Sequence, residues 1–248
     1  MKAIILAAGV GQRLGKSAGD KPKCLLEFEG VSLLQRHLKI LANYGLSEII
    51  VVTGFQPKLI SDSLNNFNSI ATRTVHNPDY ADGSLISMQI GLNSLSDERD
   101  ILLMDADVLY DHRIIEKLLN TTHENCFLLD RDFIPGDEPV KLCVKNNQLI
   151  EFRKKIEPEL SFDYQGESVG FFRFSHATAQ QLINSARDYL DKGEKKQPYE
   201  ECIRDLLLAN PRQFGFEDIS GLKWIEIDFP DDVDRANTTI LPNIMQIQ

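Results

Sequence analysis

Short apolar, β-rich runs alternate with longer stretches of helical spacing through the first half of this chain, and that rhythm limits its fold more than any other feature. Residues 2–6 read as a strand. Residues 33–42 place Leu34, Leu38 and Leu41 on one helical face. Further strands are expected at 48–52, 72–76, 101–104 and 126–129. Helices are expected at 57–64, with Pro57 suited to a first turn, and at 84–95 and 114–119. Alternation of this kind calls for right-handed crossovers and a mainly parallel sheet. After Asp130 the rhythm changes. Residues 140–144 and 148–152 resemble a hairpin across Lys145, Asn146 and Asn147. A strand at 169–174, helices at 177–189 and 199–208, strands at 213–216 and 224–227 and a closing helix at 231–240 complete the chain. No repeat and no clear linker interrupts it. The expectation is one α/β domain over residues 1–248, a Rossmann-like mixed, mainly parallel sheet flanked by helices.

A chain of 248 residues can bury a substantial core. Its formal net charge of −10 argues against nucleic acid and anionic membrane as partners. Cys24, Cys126, Cys143 and Cys202 are scattered and form no C-x-x-C pair, so free thiols in a reducing compartment are expected rather than a disulfide framework or zinc site. The apolar start is brief and runs straight into a glycine-rich, charged loop, which is wrong for a signal peptide. No stretch approaches the roughly 20 apolar residues of a transmembrane helix. A cytoplasmic location is the expectation.

The loop after the first strand is Leu6, Ala7, Ala8, Gly9, Val10, Gly11, Gln12, Arg13, Leu14 and Gly15. Small residues there let backbone amides approach a phosphate or base. Gly9 and Gly11 match the first two glycines of a dinucleotide fingerprint, but Leu14 stands where the third belongs. The loop instead carries Arg13 and continues to Lys21-Pro22-Lys23. Those cations suit a triphosphate.

Two acidic segments complement them. Met104-Asp105-Ala106-Asp107-Val108 ends an expected strand, at the sheet edge where ligands of open parallel sheets collect. If strand geometry persists, Asp105 and Asp107 flank the backbone and only one faces the ligand. Capping the next helix is the other use of such an acid, and Asp111 is better placed for it. The second segment is Trp224-Ile225-Glu226-Ile227-Asp228. Glu226 and Asp228, two apart on a strand, can face the same way, an arrangement that is costly without a cation. Asp231 and Asp232 read as first-turn acids of the closing helix.

The string Leu6-Ala7-Ala8-Gly9-x-Gly11-x-Arg13-Leu14, followed by Lys21-Pro22-Lys23, resembles the nucleotidyltransferase superfamily of MobA-like and nucleotide-sugar transferase fold, which is glycosyltransferase-A-like. The polar stretch at residues 15–20 is an insert of a kind that family tolerates. The resemblance implies an Mg²⁺-dependent enzyme. Arg13 and Lys23 would neutralise phosphates as pyrophosphate leaves, with Asp107, Glu226 and Asp228 as metal ligands. Leu6, Ala7, Ala8, Gly9, Gly11, Asp105, Tyr80, Gly83 and Ser84 would contact the nucleotide. Residues 1–129 would then be a nucleotide-binding half and 130–248 an acceptor-binding half.

The second half is more similar to cytidylyltransferases for phosphocholine, 2-aminoethylphosphonate and inositol phosphate. The likeness lies in Asp130-Arg131-Asp132, in Gly136 to Lys141, in Glu167 to Phe171 and in Tyr199-Glu200. It implies Lys141 against the acceptor's phosphorus-bound oxygens and Asp132, Glu167, Tyr199 and Glu200 around the rest, the acids and aromatic suiting an ammonium. Solvated surface charge is the plainer reading of those acids. Transfer of CMP from CTP to a small phosphorylated or phosphonylated amine is the leading expectation, with room for a homo-oligomer. A sugar-1-phosphate or polyol-phosphate transferase using UTP, dTTP or CTP and a non-catalytic nucleotide-binding regulator are the alternatives.

Overall fold

A computed structural model describes residues 1–11, 13–14, 21–65 and 67–245. The insert expected at residues 15–20 lies outside the described residues. In order, the chain forms β1 (Lys2–Ala7), a small hairpin of β2 (Glu27–Phe28) and β3 (Val31–Ser32), α1 (Leu33–Asn43), β4 (Glu48–Thr53), α2 (Pro57–Leu64) and β5 (Ala71–His76). Then come α3 (Ser84–Asn93), β6 (Ile101–Asp105), β7 (Val108–Tyr110), α4 (Arg113–Asn120) and β8 (Asn125–Asp130). The remainder is β9 (Lys141–Lys145), β10 (Gln148–Arg153), β11 (Tyr164–Phe174), α5 (His176–Asp191), α6 (Tyr199–Ala209), β12 (Phe214–Asp218), β13 (Trp224–Glu226) and α7 (Pro230–Arg235).

Among the described residues the central sheet has nine strands and runs β10-β9-β11-β6-β1-β4-β5, with β8 pairing both β11 and β12. β1 is parallel to β4 and β6, and β4 to β5. β11 is antiparallel to β6, β8 and β9. The sheet is therefore mixed, as expected, and parallel throughout the segment that carries the glycine-rich loop.

Alternation along β1 builds two layers. Ala3, Ile5 and Ala7 join the core under α1, α2 and α4, with Leu34, Leu38, Ile60 and Ile115. Ile4 joins the opposite core under α3, α5 and α6, with Leu85, Met88, Leu182 and Ile203. A strand apolar on both faces must be covered by helices on both sides, and β1 is. A smaller third cluster joins Leu14, Phe28, Leu33, Leu109, Ile225 and Ile227.

The hairpin after residue 140 forms as expected. Asn146 and Asn147 take φ of 51° and 59°, left-handed values that asparagine tolerates in a two-residue hairpin turn. Three features differ from the sequence reading. β11 starts at Tyr164 rather than 169, because its first residues gain a partner in β9. The short strands β2, β3 and β7 were too brief for a periodicity to register. The closing helix is α-helical only to Arg235 and continues as a π turn, Ala236–Ile240. All four cysteines are buried and free.

Candidate active site

β1 delivers the glycine-rich loop to the carboxyl edge of the sheet. The loop is tied down by Phe55 N–H donating to the Ala8 carbonyl at 3.0 Å and Leu14 N–H donating to the Gly11 carbonyl at 3.1 Å. Leu14, which replaces the third fingerprint glycine, is buried in the third core cluster and anchors the far end of the loop. Gly11 has φ +67°, and a Cβ there would lie 2.7 Å from Lys23 Cγ. Glycine is required because the lysine stem crosses the loop at that point. Lys23 itself opens a single 3-10 turn, Lys23–Leu25.

The ammonium of Lys23 is the hub of the site. It lies 3.1 Å from Asp107 Oδ2 and pairs with Asp228 Oδ1. Burial lowers its pKa, but Asp107 and Asp228 outweigh that and hold it above the ordinary lysine range. Arg13 reaches the same acid, 3.2 Å from Asp228 Oδ2, and also lies 3.1 Å from Glu138. Its guanidinium stands 5.3 Å from the centre of the Phe229 ring.

The two acidic segments are joined by a two-stranded ribbon. β13 pairs antiparallel with β7, setting Glu226 opposite Val108, and Ile227 N–H donates to the Asp107 carbonyl at 3.0 Å. Carboxylate oxygens of Asp107, Glu226 and Asp228 thereby come within 4.8 Å of one another. Asp232 accepts from the Asp228 and Phe229 amides and fixes the turn that follows, in keeping with a first-turn acid.

The donor set fits a hard divalent cation. Three carboxylates converge where Lys23 and Arg13 supply only two positive charges. Crowding by protein, then the charges of Asp107 and Asp228, raise Glu226 to about 8, although the residue borders the open cleft. Carboxylate oxygens are the kind of ligand that a hard divalent cation such as Mg²⁺ takes.

Asp105 and Asp107 part ways, though not by strand alternation, since β6 stops at Asp105. The Asp105 carboxyl, expected at the nucleotide, is half-buried and accepts from the Tyr199 hydroxyl at 2.7 Å. Gly170, φ +77°, sits against it, and any side chain there would collide with the carboxylate. Desolvation, then Asp107, Glu200 and Glu226, hold its pKa well above the usual range. Asp111 accepts from the Arg113 amide at 3.0 Å at the start of α4.

Two cavities flank the carboxylates. A small one, about 90 Å³, is lined by Leu6, Ala7, Gly9, Gly11, Lys23 and Asp107. Tyr80 packs on Gly54 beside the Ala8 carbonyl, while Ser84 opens α3 and accepts from the Tyr199 amide at 3.1 Å. Gly83 precedes Ser84 and meets the backbone of Lys195. The other cavity, about 240 Å³, lies beyond Glu226 and Asp228 and is lined by Asp130, Asp132, Glu167, Trp224 and Arg235 among others. The Trp224 indole N–H donates to Asp130 at 2.7 Å. Glu167 faces Asp130 across β11 and β8, and burial followed by Asp130 raises it to about 7.

The residues expected around the acceptor are thus divided. Asp132 and Glu167 line this cavity. Tyr199 does not, since it is buried beneath Asp105. Glu200 lines a neighbouring cavity of about 300 Å³ with Lys154 and Arg153, and its Oε2 has no hydrogen-bond partner among the described residues. Lys141 is used elsewhere. Its ammonium donates to the carbonyls of Gly136, Pro139 and Lys154 and holds the loop before β9. The cation that does line the cavity, Arg235, carries no signal in the sequence, because only tertiary packing turns α7 toward β8 and β11.

Comparison with known proteins agrees with this geometry. Residues 3–148 match the MobA-like NTP transferase domain model. The chain is 25% identical to the CTP:phosphoglutamine cytidylyltransferase of Campylobacter jejuni, over 94% of this chain and 98% of that one. It is also 25% identical to the CMP-5'-(3-aminopropyl)phosphonate synthase of Streptomyces rubellomurinus, over 98% of this chain but 39% of that longer protein. Its fold superimposes on the inositol-1-phosphate CTP transferase of T. maritima with a TM-score of 0.78 at 19% identity, covering 98% and 97% of the two chains. Among the described residues, no helix is long and apolar enough to cross a membrane. With its glycine-rich loop, paired cations and three-carboxylate cluster gathered at one sheet edge, the chain belongs to the MobA-like NTP transferase family of enzymes.

Proposed function

We propose that this enzyme transfers CMP from CTP to a small phosphorylated or phosphonylated amine and releases pyrophosphate. The observation that carries the reading is the position of the Lys23, Asp107, Glu226 and Asp228 cluster between a loop-lined cavity and an acidic one. The nucleotide belongs on the loop side, where Gly9 and Gly11 admit backbone approach. The acceptor belongs beside Asp132, Glu167 and Trp224, where carboxylates and an aromatic ring suit an ammonium, with Arg235 available to its anionic group. The names of the two relatives likewise pair cytidine with a nitrogen-bearing phosphorus compound.

In the reaction an acceptor oxygen on phosphorus, already anionic, attacks the α-phosphorus of the nucleotide. The bond to the bridging oxygen breaks, and pyrophosphate leaves with that electron pair. No protein base is required. Lys23 and Arg13 neutralise phosphate charge and hold the reacting groups in line. Asp107, Glu226 and Asp228 would hold a divalent cation, which supplies charge neutralisation and a template for phosphate oxygens when bound.

The test is a pyrophosphate-release screen of four nucleoside triphosphates against phosphocholine, 2-aminoethylphosphonate, sugar 1-phosphates and polyol phosphates, with Mg²⁺. CTP with an amine-bearing acceptor should give the highest rate. A sugar 1-phosphate outperforming every amine-bearing acceptor would replace this reading with the sugar-nucleotide one, and ATP or GTP outperforming CTP would overturn the base.

A further inference from the structure

A cavity of about 600 Å³, larger than either of those beside the carboxylates, lies away from them. It lies between the β2–β3 hairpin, the outer face of α1, Tyr110 at the end of β7 and the segment at Ile244 and Met245. None of the residues lining it lines either cavity beside the carboxylate cluster. A volume of this size falls within the roughly 300–1,000 Å³ of small-molecule pockets.

Its chemistry is uneven in a way that selects a ligand. Val31, Ile40 and Phe67 make an apolar wall. Arg36, Lys39 and His112 bring basic groups, against one acid, Glu29. Arg36 donates through Nη2 to the Phe28 carbonyl at 2.5 Å, and its half-buried guanidinium pairs with no carboxylate among the described residues. An anionic oxygen supplied by a ligand in the cavity would give that charge a partner. Desolvation also lowers the Arg36 pKa, a penalty a bound anion offsets.

The walls of the cavity matter to the rest of the molecule. One is the hairpin that connects Lys23 to α1. Another is β7, which follows Asp107 and pairs with the strand bearing Glu226. His37 ties α1 to the β7 side, within 3.2 Å of the Tyr110 hydroxyl and of the Ala106 carbonyl. An occupant would therefore rest on the elements that carry the catalytic groups.

We propose that this cavity is a second ligand site, separate from the catalytic cleft, that takes a small organic anion with an apolar body, its charged oxygens on Arg36 and Lys39. Calorimetric titration of the full chain with octanoate tests it. Octanoate should bind, with inorganic phosphate, which lacks the apolar body, binding more weakly. Arg36→Gln should weaken octanoate binding about tenfold or more, the scale of one charge-assisted hydrogen bond. Lys39→Gln, at an exposed position that leaves the β2–β3 hairpin contacts intact, should weaken it about threefold, the scale of a screened charge. Saturating CTP with Mg²⁺ should leave the affinity unchanged. The proposal fails if wild type does not bind octanoate, if both variants bind it as tightly as wild type, if phosphate binds equally well, or if CTP displaces it. It fails too if binding appears only after truncation behind Met245, which would make the chain's own end the occupant.

Discussion

Lys23 shows how one side chain can be needed twice. Its ammonium holds Asp107 and Asp228 together, and the same charge lies where triphosphate oxygens would arrive. Lys23→Ala should reduce turnover by about 10²–10³-fold, the usual loss for one preorganised charge contact. Pyrophosphate release at wild-type rate by a variant with an unchanged circular dichroism spectrum would remove Lys23 from the mechanism. Glu167 offers a test in pH. Its carboxyl is raised to about 7 in the folded chain from an ordinary 4.5. The folded state then binds that proton more tightly than the unfolded state does. Stability from this group is complete below about 4.5 and is lost as pH rises toward about 7. Glu167→Gln should flatten that fall, by at most roughly 3 kcal/mol and less where water reaches the group. Urea midpoints at pH 5 and pH 8 measure it, and identical pH slopes in the two proteins would contradict it. Lys23 and Glu167 were both visible in the sequence as residues. The opposition of Glu167 to Asp130, which raises it, depends on strand register.

Among the elements, α6 and the β7–β13 ribbon decide most. The first residue of α6, Tyr199, joins that helix to the end of β6 through its bond to Asp105, with Gly170 of β11 against the same carboxyl. Tyr199→Phe keeps the ring, which packs edge-on against Phe172, but leaves the Asp105 carboxyl without this donor. The cost should be about 1–3 kcal/mol. A chemical-denaturation midpoint unchanged by the substitution would show that water replaces the hydroxyl. The long elements were legible because they repeat: α1, α3 and α6 present apolar residues at helical spacing, and β1 alternates between two cores. Only half of the ribbon was legible: β13 lies within the strand expected at 224–227, whereas the three residues of β7 are too few to show a period.

Across the whole molecule, the cluster draws acids from positions 107, 226 and 228 into one place, and the repulsion among them opposes folding. A divalent cation binding only the folded state should therefore raise the melting temperature. For a chain of this size the rise is about 2–4 °C for each kcal/mol of binding free energy. Scanning calorimetry with and without Mg²⁺ should show this shift in wild type and its loss in Asp107→Ala and Asp228→Ala. A shift of wild-type size in both variants would place the cation elsewhere.

From sequence alone came the kind of fold and the loop that follows β1, while Arg13, Lys23, Asp107, Glu226 and Asp228 were joined as a set by the resemblance that the loop carries. The first two are local: periodicity and small residues after a strand are properties of a few neighbouring residues. Tertiary structure alone decided that Asp105 bonds to the buried Tyr199, that Lys141 secures a loop rather than facing the acidic cavity, and that Arg235 lines that cavity. It also separated Glu200 from Asp132 and Glu167. Each of these turns on which surfaces pack together. A side chain's partners far along the chain are set by sheet register and helix docking, for which a single sequence carries no local signal.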